Sequence, residues 1–203
     1  MRVARLELSL HRGLPVLLAV GLAACSSSPP DRPADQFPEP PLSVELPGLV
    51  PTDATDECAW ELPVEHECEG PSPELVFDDI PASAESLVLI FDDPDARDYP
   101  HWAVWGLPAD TPGLAEGVSE SGLTPELPEG SQELENGFGW VGYLGSCPRQ
   151  SHVYRWTVWA MPEGFAFDAP GGSARTEFAA LRAAAEAEAL SRGYACHVYG
   201  PRS

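Results

Sequence analysis

The stretch SLVLIFDDPDARDYPHWAVWGLPADT, residues 86–111, joins two strand-like runs through a short acidic turn. ESLVLIF (85–91) and HWAVWGL (101–107) are rich in β-branched and aromatic side chains, and LVLIF is apolar without alternation, as a central strand buried on both faces is. Between them FDDPDARDYPHW (91–102) places four aspartates, two prolines and a histidine in twelve positions. Asp and Pro in that density end a strand and turn the chain. A third run, VYRWTVWAM (153–161), has the same strand chemistry, and about 45 residues dense in Gly, Pro and Glu separate it from the second. That is more irregular chain than a compact domain holds without a use. Further on, Ser173 is placed to cap a helix with Phe178, Leu181, Ala185 and Leu190 along one stripe, and Gly193 to end it. The pattern predicts a mainly β domain closed by a C-terminal helix.

Composition bounds what such a domain does. The 203 residues suffice for one domain with a real core plus extras. Arginine supplies all 11 basic residues against 32 acidic ones, for a formal charge of −21. Nothing in that balance replaces counterions along a phosphate backbone, so nucleic-acid binding is excluded, and adsorption to anionic lipid is disfavoured. At the N-terminus, MRVARLELSLHR carries three arginines, GLPVLLAVGLAA is a short apolar run, and Leu22-Ala23-Ala24 precede Cys25. This is an export signal, too short to span a membrane. It resembles a bacterial lipoprotein signal over 1–24, with Cys25 as the lipid-modified first residue of a mature chain at −23. Residues 25–41, SSSPPDRPADQFPEPP after Cys25, read as an extended Ser/Pro-rich tether. The folded domain is expected over 42–203, on the extracytoplasmic side of the cell envelope.

Export places Cys58, Cys68, Cys147 and Cys196 in an oxidising compartment, where two disulfides form in any of three pairings. Spacing alone does not fix connectivity. Proximity points to Cys58–Cys68 stapling a hairpin and leaves Cys147 for Cys196. The absence of C-x-x-C argues against a zinc ribbon, and no metal or cofactor is implied.

The segment 86–111 followed by NGFGWVGYLGSCPRQSHVYRWTVWAM (136–161) closely resembles the phosphatidylethanolamine-binding protein family, in particular its bacterial Raf-kinase-inhibitor-like branch. In that family a strand ends in Asp-Pro-Asp-x-Pro, a histidine opens the next strand, and a Gly-x-Cys-Pro-Pro loop leads to His-Arg-Tyr. This chain has Asp93-Pro94-Asp95-Ala96-Arg97, then His101, then Gly145-Ser146-Cys147-Pro148 and His152-Val153-Tyr154. Upstream, CEGPSPEL (68–75) looks like a shortened form of another family loop. The resemblance runs from about Leu42 to Tyr199. It implies a large antiparallel sheet packed on a smaller one, and a small pocket for a phosphate-like or acetate-like anion. Carried over residue by residue, the pocket takes Asp93, His101, His152, Pro148 and Tyr154, with Asp95 and Arg97 beside them.

That constellation has a physical basis. Two imidazole N–H groups directed at one point hold an anion, and a neighbouring carboxylate fixes their tautomer or favours their protonated form. Asp93 is then the orienter of both rings. His66 and His197, outside the shared motifs, read as structural. Arg97 and Arg149 stand where the family motifs have proline, Val153 where they have arginine, and Asn136 is the only asparagine of the chain. Arg97 either reaches an anion bidentately or points to solvent. The expected function is binding of a phosphorylated or otherwise anionic head group without catalysis. Two alternatives are inhibition of an extracytoplasmic protease or other protein partner, and hydrolysis by the His/Asp pair. Against the last, no G-x-S-x-G or H-E-x-x-H is present.

Overall fold

A computed structural model describes residues 41–52 and 58–199. The signal, the tether up to residue 40 and Cys25 lie outside the described residues. Three long strands lie side by side: β5 (Ser86–Asp93), β6 (Tyr99–Pro108) and β9 (His152–Met161). Short strands β1 (Ser43–Glu45), β2 (Val50–Pro51), β3 (Trp60–Glu61), β4 (Leu75–Asp78), β7 (Gly113–Leu114) and β8 (Gln132–Glu133) surround them. One helix, α1 (Ala174–Glu188), precedes the long strand β10 (Ser191–Tyr199). The larger sheet has the order β2-β3-β10-β9-β5-β6-β8 and the smaller β1-β4-β7. The architecture is the mainly β, two-sheet one implied by the resemblance, with one exception to its antiparallel pairing. β10 meets β3 in parallel at Val198↔Glu61.

The unbroken apolar run of β5 has two cores to fill. Leu87, Leu89 and Phe91 face the small sheet, where they join Trp102, Val104, Trp156 and Val158 with Leu75, Phe77 and Leu114. Val88 and Ile90 point the other way and pack with Ala103, Trp159 and Met161 against Phe178, Leu181 and Ala185 of α1. Period-two alternation within one strand thus serves both layers.

Helix α1 begins as its sequence predicts, with Ser173 accepting from the Thr176 amide. It ends earlier than predicted, and it does not close the chain. Ala189 is its C-cap, and Gly193 lies inside β10, an interior strand of the sheet. A Cβ at Gly193 would stand 2.3 Å from the Leu42 side chain and 2.5 Å from the Leu42 carbonyl oxygen. Its glycine admits the segment that crosses the sheet rather than a helix terminus.

The disulfides correct the proximity-based pairing. Cys58 is bridged to Cys196 and Cys68 to Cys147. The ten-residue interval between Cys58 and Cys68 is not a hairpin, because β3 takes Cys58 toward β10 while a 3-10 turn at Val64–His66 carries Cys68 to the 145–147 loop. There the two segments exchange backbone bonds, Gly145 N to Cys68 O at 2.7 Å and Cys68 N to Ser146 O at 3.2 Å. A Cβ on Gly145 would lie 2.1 Å from the His66 carbonyl oxygen, so only glycine permits this approach.

Candidate functional site

The site forms where β5 ends and β6 and β9 begin. Register pairs Asp93 with Tyr99 and Asp92 with Arg155, so the acidic turn and both histidine-bearing strand starts share one end of the sheet. Asp93 caps the 3-10 turn Pro94–Ala96 by accepting from the Ala96 amide through Oδ1 at 3.0 Å. Its Oδ2 accepts from His152 Nδ1 at 2.6 Å. The carboxylate is 4 % exposed and the imidazole 23 %, which places the ring at the mouth and the acid beneath it.

His101 is held differently from the expectation that Asp93 orients both rings. Its Nδ1 donates to the Leu144 carbonyl at 2.8 Å. Asp93 accepts from the turn and from His152, while the neighbouring loop supplies the acceptor for His101. Burial lowers the pKa of His101; the carbonyls of Leu144 and Gly145 and the charges of Asp93 and Asp92 only partly oppose that. Near neutral pH the free ring therefore favours the neutral form with its proton on Nδ1, and Nε2 becomes a donor only on taking up a second proton, which a bound anion favours. Both histidines have Nδ1 engaged and Nε2 free of hydrogen bonds to the described residues.

Tyr154 lies between them, its ring 5.3 Å from that of His101 and 6.4 Å from that of His152. Burial first, and then the Asp93 carboxylate to which its hydroxyl donates, raise its pKa far above the ordinary phenol range, so it stays a neutral donor. Asp95 is exposed and accepts from the Val153 amide at 2.9 Å, a brace between the turn and β9. Arg97 is exposed in a left-handed conformation, φ 62°, as the C-cap of the turn. Pro148 is half-buried in the loop clamped by Cys68–Cys147.

Sequence reasoning missed three contributors. The Leu144 carbonyl is a backbone group that no motif announces. Tyr99 packs edge-on to His101 at 5.2 Å and meets Phe138, which is 61 % exposed, at 6.5 Å. Asp92, 1 % exposed, is gripped by Arg155 through Nε at 3.0 Å and Nη2 at 2.7 Å, and by Arg182 from α1. This buried cluster fastens the helix beneath the site.

His66 and His197 are structural in their contacts, as the sequence indicates. His66 Nδ1 donates to the Pro71 carbonyl at 3.0 Å. His197 accepts from Trp156 Nε1 at Nδ1, 3.0 Å, and donates from Nε2 to Ser146 Oγ, 3.0 Å. Ser146 and His197 are both fully buried, and with both ring nitrogens in use the pair is not a nucleophile and base open to substrate. A separate cleft of about 410 Å³, lined by Val44, Leu46, Leu49, Trp60 and Tyr194 among others, shares no residue with the site.

Comparison with known proteins bears on the family and the fold. The family profile described as phosphatidylethanolamine-binding protein matches residues 55–199. A UPF0098 protein of Methanothermobacter thermautotrophicus is 39 % identical over 105 residues, covering 49 % of this chain and 68 % of its own. The UPF0098 protein YbhB of Escherichia coli is 41 % identical over 95 residues, 44 % of this chain and 59 % of its own. A Mycobacterium tuberculosis protein that carries a lipoprotein name, LppC, is 34 % identical over 108 residues, 50 % of this chain and 49 % of its own. Among solved structures, YbcL of Escherichia coli superposes with a TM-score of 0.65 at 23 % identity, covering 80 % of this chain and 99 % of its own. At that identity the likeness concerns the fold.

Proposed function

Because the chain belongs to the phosphatidylethanolamine-binding protein family, we propose that it binds a small anion, the phosphate of a head group or a like group, between His101 and His152 and does not transform it. The observation that carries this reading is the unspent Nε2 of each ring, with Nδ1 pinned by Leu144 on one side and Asp93 on the other. A proton on Nε2 turns each ring into a donor directed outward, and a buried setting makes such a donor effective in a chain of charge −21. Tyr154 supports the walls, and Pro148 limits the loop side. No group in the site is arranged as an activated nucleophile. The export signal and the likeness to LppC support attachment through an acylated Cys25 to the envelope, with the domain on the extracytoplasmic side.

Calorimetric titration of phosphate into wild type and Asp93→Asn tests the site. The substitution keeps the shape and makes the protein less negative, so bulk electrostatics predicts tighter binding. Loss of the carboxylate that holds His152 predicts the reverse, weaker by about tenfold. Tighter binding by Asp93→Asn would overturn the orienting role. Membrane fractionation of wild type but not of Cys25→Ser tests the anchor.

A further inference from the structure

In a chain this acidic, an arginine without a carboxylate partner is conspicuous. Arg155, Arg182 and Arg192 each have one, in Asp92 with Asp98, in Asp92, and in Glu186. Arg97, Arg149 and Arg175 form no ion pair among the described residues.

Two of these three converge on one turn. Arg97 is the residue after Ala96, held left-handed at the end of the turn that Asp93 caps. Arg175, in the first turn of α1, donates from Nη2 to the Ala96 carbonyl at 3.4 Å. Its charge also acts on the Tyr99 phenol, and Tyr99 packs against His101. The Arg175 guanidinium therefore reaches the turn whose aspartate holds His152, near the Tyr99 that packs on His101, and Arg97 ends that same turn exposed.

We propose that Arg97 and Arg175 form a second anion subsite beside the histidine pocket, so that the preferred ligand is a phosphoryl compound carrying a further negative group, a carboxylate or second phosphate, rather than one ending in an amine alone. This rests on the anion-pocket reading above. A planar guanidinium suits a carboxylate or phosphate bidentately, and it repels an ammonium. The ligand would thus bridge the two polar regions, its phosphoryl group at the imidazoles and its second charge at the arginines.

Phosphoserine and phosphoethanolamine differ by one carboxylate and are the probes. Isothermal titration at pH 7 and low salt should show wild type preferring phosphoserine by about tenfold, the worth of one charge-assisted contact. In Arg97→Gln/Arg175→Gln the two ligands should converge to within about twofold, because the contact that distinguishes them is gone, whatever uniform loss of phosphoryl affinity the missing charges bring. Arg192→Gln, which removes one positive charge from a paired arginine elsewhere, should leave the preference intact. If phosphate binds but wild type shows no preference, or the double variant keeps it, the subsite is overturned alone. If phosphate does not bind at all, the pocket reading falls and the subsite with it.

Discussion

Two histidine-centred clusters stand on either side of Tyr154, built from similar parts and left in opposite conditions. His197 stacks on Tyr154 at 5.1 Å with both nitrogens bonded, one to an indole N–H and one to a hydroxyl. His101 and His152 each keep one nitrogen unspent. What marks a binding site is the hydrogen-bonding capacity left over after the fold has used what it needs, not the histidine itself.

The largest expected consequence falls on the satisfied cluster. Burial pushes the pKa of His197 down to about 3, with a smaller contribution from His101. Its neutral bonds contribute fully above about pH 6.5, and as pH falls below that the unfolded chain takes up a proton that the folded one refuses. Stability is lost on acidification, at up to about 1.4 kcal/mol per pH unit and on the order of 5 kcal/mol by pH 3. Denaturant titrations at several pH values should show this slope flattened in His197→Gln. A variant with the wild-type slope would mean that the two clusters differ less than their bonding indicates.

Next comes the loop that serves both. Leu144 holds His101, Ser146 holds His197, and Cys147 ties that loop to Cys68. Replacing Cys68 and Cys147 by alanine should cost about 2–5 kcal/mol of stability and also weaken phosphate binding. Replacing Cys58 and Cys196 should cost a similar amount of stability and leave the affinity of the folded protein unchanged. Equal effects on binding would break the distinction between a bridge that serves the site and one that serves the sheet.

A smaller effect belongs to the unspent cluster. His101→Ala should weaken phosphate binding by about 1–3 kcal/mol, seen calorimetrically as one to two decades in Kd. The smallest is the pH dependence of sulfate binding, sulfate being a probe whose own charge is constant near neutrality. Donation from Nε2 requires the imidazolium, and His101 holds its proton less readily than a free imidazole. Affinity should therefore begin to fall below pH 6.5 and continue as pH rises, by at most about tenfold per unit for one proton. A flat profile would assign the donor role to other groups.

Much of this was legible from residues 86–111 and 136–161. The strands and the Ser173 cap follow from side-chain pattern and turn chemistry, which are local, whereas the grouping of Asp93, His101 and His152 came from the family resemblance, since His152 lies 59 residues from Asp93. Three features were not local. The partner of His101 is a backbone carbonyl 43 residues away. The disulfides span separations of 138 and 79 residues, decided by where the fold carries each cysteine. Gly193 resembled a helix stop because its true reason, the passage of Leu42 across β10, lies 151 positions upstream.

The placement of β10 also has a consequence in time. It lies between β3 and β9, pairing nine residues of β9 from Ser191↔Ala160 to Tyr199↔His152. Until β10 docks, β9 has one bare edge and β3 has no neighbour but the two residues of β2. A chain in which the other long strands have paired first has an unfinished sheet, when edge-to-edge association is the main hazard. Closure must then occur late and between distant segments, the slow regime of folding.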